Sequence, residues 1–327
     1  IRKVLTSLVV AALVLVGGVA TSAPSNAAST LTSPTWMSNA TVYEVNVRQY
    51  TAEGTFNAFS THLDRLKKLG VKVLWFMPIQ PISVKERKGT LGSYYSIADY
   101  KGINPEYGTA ADFKALVQKA HALGFKIVLD WVPNHTGWDN PWITAHPDWY
   151  TKDSTGKIIH PAGTDWTDVA DLNYSNQAMR AEMIASMKYW VDAYDIDGFR
   201  CDVAGAVPND FWNTATATLT AIKPLWMLAE TNPGEVTIGT NFTSAYNWPL
   251  KDAFNGMGRG NTDGFTISGE ITRIANDYPK GNYPMNFITN HDENSWSGTE
   301  YTRLGSVAAV KAGAVISFTL PGAPLLY

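Results

Sequence analysis

Three acidic residues stand at the ends of short apolar runs. Asp202 closes Gly198-Phe199-Arg200-Cys201, Glu230 closes Met227-Leu228-Ala229, and Asp292 follows Phe287-Ile288-Thr289-Asn290-His291. Arg200 lies two residues before Asp202, so strand alternation turns both to one side. A fourth run, Ile127-Val128-Leu129-Asp130, leads into Val132-Pro133-Asn134-His135. Carboxylates acting together across a sugar are the equipment of most glycosidases, one serving as acid and base and another as nucleophile or water activator. Each residue has a plainer reading by itself. An acid at a strand end can cap the next helix, and a loop histidine such as His135 can be satisfied locally. Chance convergence of three carboxylates, two histidines and an arginine is the less economical account.

Such groups need a frame that brings chain-distant strand ends together. The pattern predicts strands at 42–48, 71–77, 125–129, 197–202, 226–230, 243–248, 285–290 and 315–320. Between them, apolar residues at helical spacing predict helices at 56–69, 111–123, 178–193, 209–222, 268–277 and 302–312. This alternation describes a TIM (β/α)8 barrel, whose polar groups gather at the C-terminal ends of the strands. About forty residues rich in Trp, Pro and Gly intervene after strand three. They are too many for an ordinary connection, so 136–173 is read as a small excursion domain, with 28–135 and 174–327 as the two parts of the barrel. The last helix of the barrel is missing. The chain starts at Ile1 and stops beside an apolar run, so it reads as part of a longer frame, and 28–327 expressed alone is expected to be poorly soluble or inactive.

Composition is permissive. The 327 residues are 45% hydrophobic with a net charge of −3, which gives no sign of a polyanionic partner such as nucleic acid. Lys85-Glu86-Arg87-Lys88 reads as a solvated loop. Arg2 and Lys3, the apolar stretch Val4 to Ala20 and the small residues of Ser25-Asn26-Ala27 predict a signal peptide over 1–27. The mature protein is therefore expected to be secreted or periplasmic, free of the membrane and monomeric. Cys201 is the only cysteine. Alternation turns it away from Arg200 and Asp202, so it reads as a core residue and not a nucleophile. Trp138, Trp142, Trp149 and Trp166 could form either sugar platforms or an aromatic core for the excursion.

Asp130-Trp131-Val132-Pro133-Asn134-His135, Gly198-Phe199-Arg200-Cys201-Asp202, Glu230 and Asn290-His291-Asp292 together resemble the four signature regions of the α-amylase family, glycoside hydrolase family 13. Leu91 to Tyr100 and Asn104 to Thr109 resemble its loop after strand two. The resemblance implies a retaining hydrolase of α-glucans such as starch or maltooligosaccharides, with Asp202 as nucleophile, Glu230 as acid and base, and Asp292 as the third carboxylate. Retention requires Asp202 and Glu230 to stand roughly 5 Å apart. Arg200 is expected to keep Asp202 ionised, while surrounding anions and apolar burial raise Glu230. Arg200, His135, His291 and Tyr95 are implied as substrate-binding residues, and Asp130 as a structural residue. Calcium is a candidate ion, with Asn134 and Asp171 as ligands, although Gly205-Ala206 stands where many α-amylases carry Lys-His. Transfer to a sugar acceptor and a non-catalytic glycan-binding barrel are the competing readings.

Overall fold

The computed structural model describes residues 31–327. The signal peptide read over 1–27 lies outside them. Eight parallel strands form one sheet in the order β8-β7-β6-β3-β2-β1-β10-β9. They are β1 (Val42–Val45), β2 (Val73–Phe76), β3 (Lys126–Trp131), β6 (Gly198–Cys201), β7 (Trp226–Ala229), β8 (Ser244–Ala245), β9 (Met285–Asn286) and β10 (Ala323–Leu326). A parallel bridge between Tyr246 and Met285 joins the two outer strands and closes the (β/α)8 barrel. The remaining pair, β4 (His135–Gly137) and β5 (Val169–Asp171), is antiparallel and forms the base of the excursion after β3.

Burial follows the period of two expected of a strand. Val42, Val73, Trp75, Val128, Trp226, Leu228, Tyr246, Phe287 and Leu325 pack together in the barrel interior. Their neighbours Leu74, Phe76, Ile127, Leu129, Phe199, Met227 and Ala229 face the helices instead. Continuing the interior parity up each strand reaches Glu44 after Val42, Asp130 after Val128, Arg200 and Asp202 after Gly198, and Glu230 after Leu228. The same alternation that fills the core therefore delivers the polar groups to its upper end. Cys201 takes the outward parity and is buried against the helices, away from Arg200.

Local signals set the flanking helices. Thr109 and Asp112 form a reciprocal capping box on the helix Ala110–Ala122, and Asn176 caps Gln177–Tyr194 through two backbone N–H groups. Gly70, at φ 94°, ends Leu63–Leu69 in the left-handed conformation.

Several elements differ from the sequence reading. The helix expected over 56–69 is two, Phe56–Ser60 and Leu63–Leu69, separated by a turn at Thr61 and His62. The expected strand 315–320 belongs to a helix, Val307–Thr319, capped by Ser306. Ala312 to Phe318 is apolar but for Ser317, so the periodicity there is flat and does not separate helix from strand. The eighth strand follows at Ala323–Leu326, beyond the break at Pro321-Gly322. Strand seven is shortened to Met285–Asn286, and Asn290 to Asp292 stand in the segment above it. A helix over Trp248–Gly258 was not foreseen; Asn247 caps it and Pro249 lies in its first turn, where proline is compatible with a helix.

Candidate active site

A cleft of about 450 Å³ opens at the upper end of the barrel. Asp202, Glu230, Asp292, Tyr95, His135 and His291 all line it. Arg200, expected among the substrate-binding residues, lies beneath the cleft instead, with no exposed side-chain surface. Its Nη1 donates to Asp202 Oδ1 at 2.8 Å and Asp130 Oδ1 at 2.9 Å, and Nε donates to Tyr246 Oη at 3.0 Å. Nη2 is 2.7 Å from Glu230 Oε1, an ion-pair contact without hydrogen-bond alignment. The guanidinium also sits 5.4 Å from the Trp75 ring centroid and 5.6 Å from those of Tyr95 and Tyr246. One buried cation thus organises three carboxylates, and burying it unpaired would be prohibitive.

Asp130 completes this layer. Its Oδ2 accepts from Trp75 Nε1 at 3.2 Å and Tyr95 Oη at 3.1 Å. With the Tyr95 proton committed to Asp130, the 2.7 Å contact to His291 Nε2 makes the imidazole the donor. Its Nδ1 faces Glu44, a residue of β1 with no exposed side-chain surface. Both ring nitrogens therefore carry protons. Burial opposes that charge, but Glu44 overrides it and lifts His291 to about 9. Asp292 Oδ2 lies 3.3 Å from His291 Nε2. His135 has no such partner, and burial pulls it down to about 4, leaving it neutral.

The carboxyls shift upward. Burial, with the charges of Asp202 and Asp292, raises Glu230 to about 8 against the opposition of Arg200. Burial likewise lifts Asp130 to about 6. For Asp202 burial outweighs the opposing attraction of Arg200, so its net shift is also upward. The two groups titrate as a pair. Asp202 receives the aligned Arg200 hydrogen bond, so charge settles there and the proton on Glu230. Glu230 Oε2 accepts from Val203 N–H at 2.8 Å. Val203 adopts φ 40° and ψ 44° to aim that group, a left-handed conformation that is strained for a β-branched residue.

Other residues missed by sequence reasoning are Glu44, Trp75 and Tyr246, which support the charged layer, and Lys88, which helps wall the cleft. Lys88 was read as part of a solvated loop. It is exposed, as that reading has it, but its Nζ also bonds the Asp165 carbonyl and stands 3.7 Å from Asp168 Oδ1. Glu44 lies on the interior parity of β1, which in the closed barrel points its carboxylate to the site. The tryptophans divide. Trp142 packs on Trp149 and Tyr100 in an aromatic core, whereas Trp166 lines the cleft beside His135.

Asn134 and Asp171 lie outside the cleft lining but close together, since Asp171 pairs with His135 across the β4–β5 ladder. Asn134 Nδ2 is 3.2 Å from His135 Nδ1, and half-buried Asp171 is raised by burial. One amide and one carboxylate are oxygen donors of the kind calcium takes, but fewer than its usual six to eight. Among the described residues, no three acidic, His or Cys side chains gather into a metal-holding group.

The fold and cleft define a (β/α)8-barrel protein with a carboxylate site at the C-terminal ends of its strands. A family model for the α-amylase catalytic domain matches residues 25–327, and the chain belongs to the α-amylase family. It is 31% identical to the α-amylase MalA of Haloarcula japonica, over 90% of this chain and 44% of that protein. It is 30% identical to α-amylase 3 of Dictyoglomus thermophilum, over 89% of this chain and 64% of that one. The chain thus spans roughly half the length of these relatives. A crystal structure of an α-amylase from Lactobacillus plantarum superposes with a TM-score of 0.82 at 36% identity, covering 90% of this chain and 72% of that one.

Proposed function

We propose that this protein is an exported, monomeric, retaining α-glycoside hydrolase acting on starch, maltooligosaccharides or related α-glucans. One observation carries the reading: Asp202 and Glu230 occupy the two terminal nitrogens of one buried guanidinium. Sharing one guanidinium keeps the two carboxyls near each other, as a retaining pair, ~5 Å apart, calls for. In this mechanism Glu230, which holds its proton up to about pH 8, protonates the departing glycosidic oxygen. Asp202 attacks the anomeric carbon and forms a glycosyl ester. Glu230, now ionised, takes a proton from water, which attacks the same carbon and frees Asp202. Asp292 and charged His291 bind hydroxyls of the ring at the broken bond, Tyr95 lies against its face, and neutral His135 contacts it from the excursion side.

Export rests on the basic, apolar and small-residue pattern of 1–27. Among the described residues no helix is long and apolar enough to cross a membrane. Calcium, held by Asn134 and Asp171, would be a structural ion and takes no part in these steps.

The test is release of reducing ends from soluble starch by the full gene product beside Asp202→Asn. Loss of at least ~10³-fold in a variant with unchanged circular dichroism supports the reading. An active Asp202→Asn variant sinks the nucleophile assignment, and an inactive parent on every α-glucan tried sinks the function.

A further inference from the structure

Trp296 has 85% of its surface exposed. A lone exposed apolar side chain is ordinary on a protein. Trp296 differs in its position, because it lines the same cleft as Asp202, Glu230 and Asp292. It sits on the wide turn of π-helix Glu293–Ser297, which begins immediately after Asp292. Turns of that kind are rare and concentrate at functional sites.

The base of this turn is fastened from several directions. Glu293 is held by Lys251 at 3.0 Å and Arg303 at 3.4 Å. Its N–H donates to Asn290 Oδ1 at 2.8 Å, and Ser295 Oγ donates to the His291 carbonyl at 2.7 Å. A well-held backbone therefore presents an uncovered indole to the cleft. That arrangement suits a stacking surface whose backbone needs no reordering on binding.

The topology locates it relative to the other indole of the cleft. Trp166 belongs to the excursion inserted after β3, and Trp296 follows β9. In the closed order of eight strands these two are four positions apart in either direction, halfway round the ring. The carboxylate cluster lies within the cleft that both indoles line.

We propose that Trp296 is a sugar-stacking platform at the rim opposite the excursion, so that a bound α-glucan crosses the cleft from Trp166 to Trp296. The indole takes the apolar face of a pyranose ring remote from the bond being cleaved. This deepens the glycosidase reading and rests on it. The consequence is a preference for chains long enough to reach Trp296, set by a residue that does not touch the reacting atoms.

The experiment measures maltoheptaose and maltotriose binding by calorimetry in the full chain carrying Asp202→Asn, with and without Trp296→Ala, Trp296→Tyr or Trp296→Phe. Hydrolysis of both sugars by the Trp296 variants is measured in the otherwise unaltered chain. The expected result is about tenfold weaker maltoheptaose binding in Trp296→Ala, with a smaller change for maltotriose. The kcat/KM ratio of the two sugars should fall correspondingly, and the Tyr or Phe variant should restore it. Equal losses for the two sugars, or no loss for maltoheptaose, would overturn the platform while leaving the glycosidase reading intact. If the parent neither binds nor cleaves any α-glucan, the glycosidase reading fails and this inference fails with it.

Discussion

The charge on His291 shows how a single residue can depend on a partner far away in sequence. Glu44 is 247 residues distant, yet its carboxylate makes the imidazole a cation between Tyr95 and Asp292. The folded value of about 9 stands above the ordinary 6.5. Its stabilising contribution is therefore complete below about pH 6.5 and is lost as pH rises through about 9, an effect of order 3 kcal/mol. Glu44→Gln keeps the shape but removes the charge. Its thermal midpoint should fall well below the parent's at pH 6 and approach it near pH 9.5, as followed by scanning calorimetry. A constant difference across that range would mean that packing, not charge, is what Glu44 supplies. Arg200, Asp202, Glu230, Asp292, Tyr95, His135 and His291 were legible because each lies in or beside a motif or at a strand end. Glu44 was not, because Val42-Tyr43-Glu44-Val45 also reads as a half-exposed strand with its acid outward. Which face of a strand is interior depends on closure of the sheet, a property of all eight strands together.

At the scale of elements, the strand bearing Arg200 and Asp202 requires a glycine at its start. A Cβ on Gly198 would meet the Trp226 carbonyl oxygen at 2.2 Å, and that obstacle is the backbone of the adjacent barrel strand. Gly198→Ala should cost about 1–3 kcal/mol through overpacking and push apart the strands that carry Asp202 and Glu230. Denaturation and starch hydrolysis measured together check this: both stability and kcat should decline. Undiminished activity with lowered stability would show that the displacement stops below the site. Boundaries were harder to read than motifs. The helix expected over 302–312 and the strand expected over 315–320 meet in one helix, Val307–Thr319, whose C-terminal half is nearly all apolar and so lacks a polar face to mark its turns. The short β8 and β9 were overextended for a related reason. Apolar residues continue past the last ladder bond, while side-chain links such as Asn247 Nδ2 to Asn286 Oδ1 at 2.8 Å take over from backbone pairing.

Across the whole molecule, the barrel and its excursion meet at the β4–β5 ladder, where His135 faces Asp171 in register. A cation held by Asn134 and Asp171 would relieve the burial cost that raises Asp171 and tie the excursion to the end of β3. Calcium should therefore raise the thermal midpoint, chelation should lower it, and Asp171→Asn should weaken both responses. A midpoint indifferent to calcium and chelator would remove the ion from this junction. Fold class was open to sequence reading because it rests on repetition, whereas the cleft wall was not, since Lys88 and Asp165 meet only after two separate loops have closed. Cys201 has a further use. It is the sole thiol of the chain, inaccessible, and adjacent to Asp202 on the opposite parity. An alkylating reagent can reach it only when the wall between sheet and helices parts, so its modification rate is a clock for the opening of the strand that carries the reaction, built in without any label.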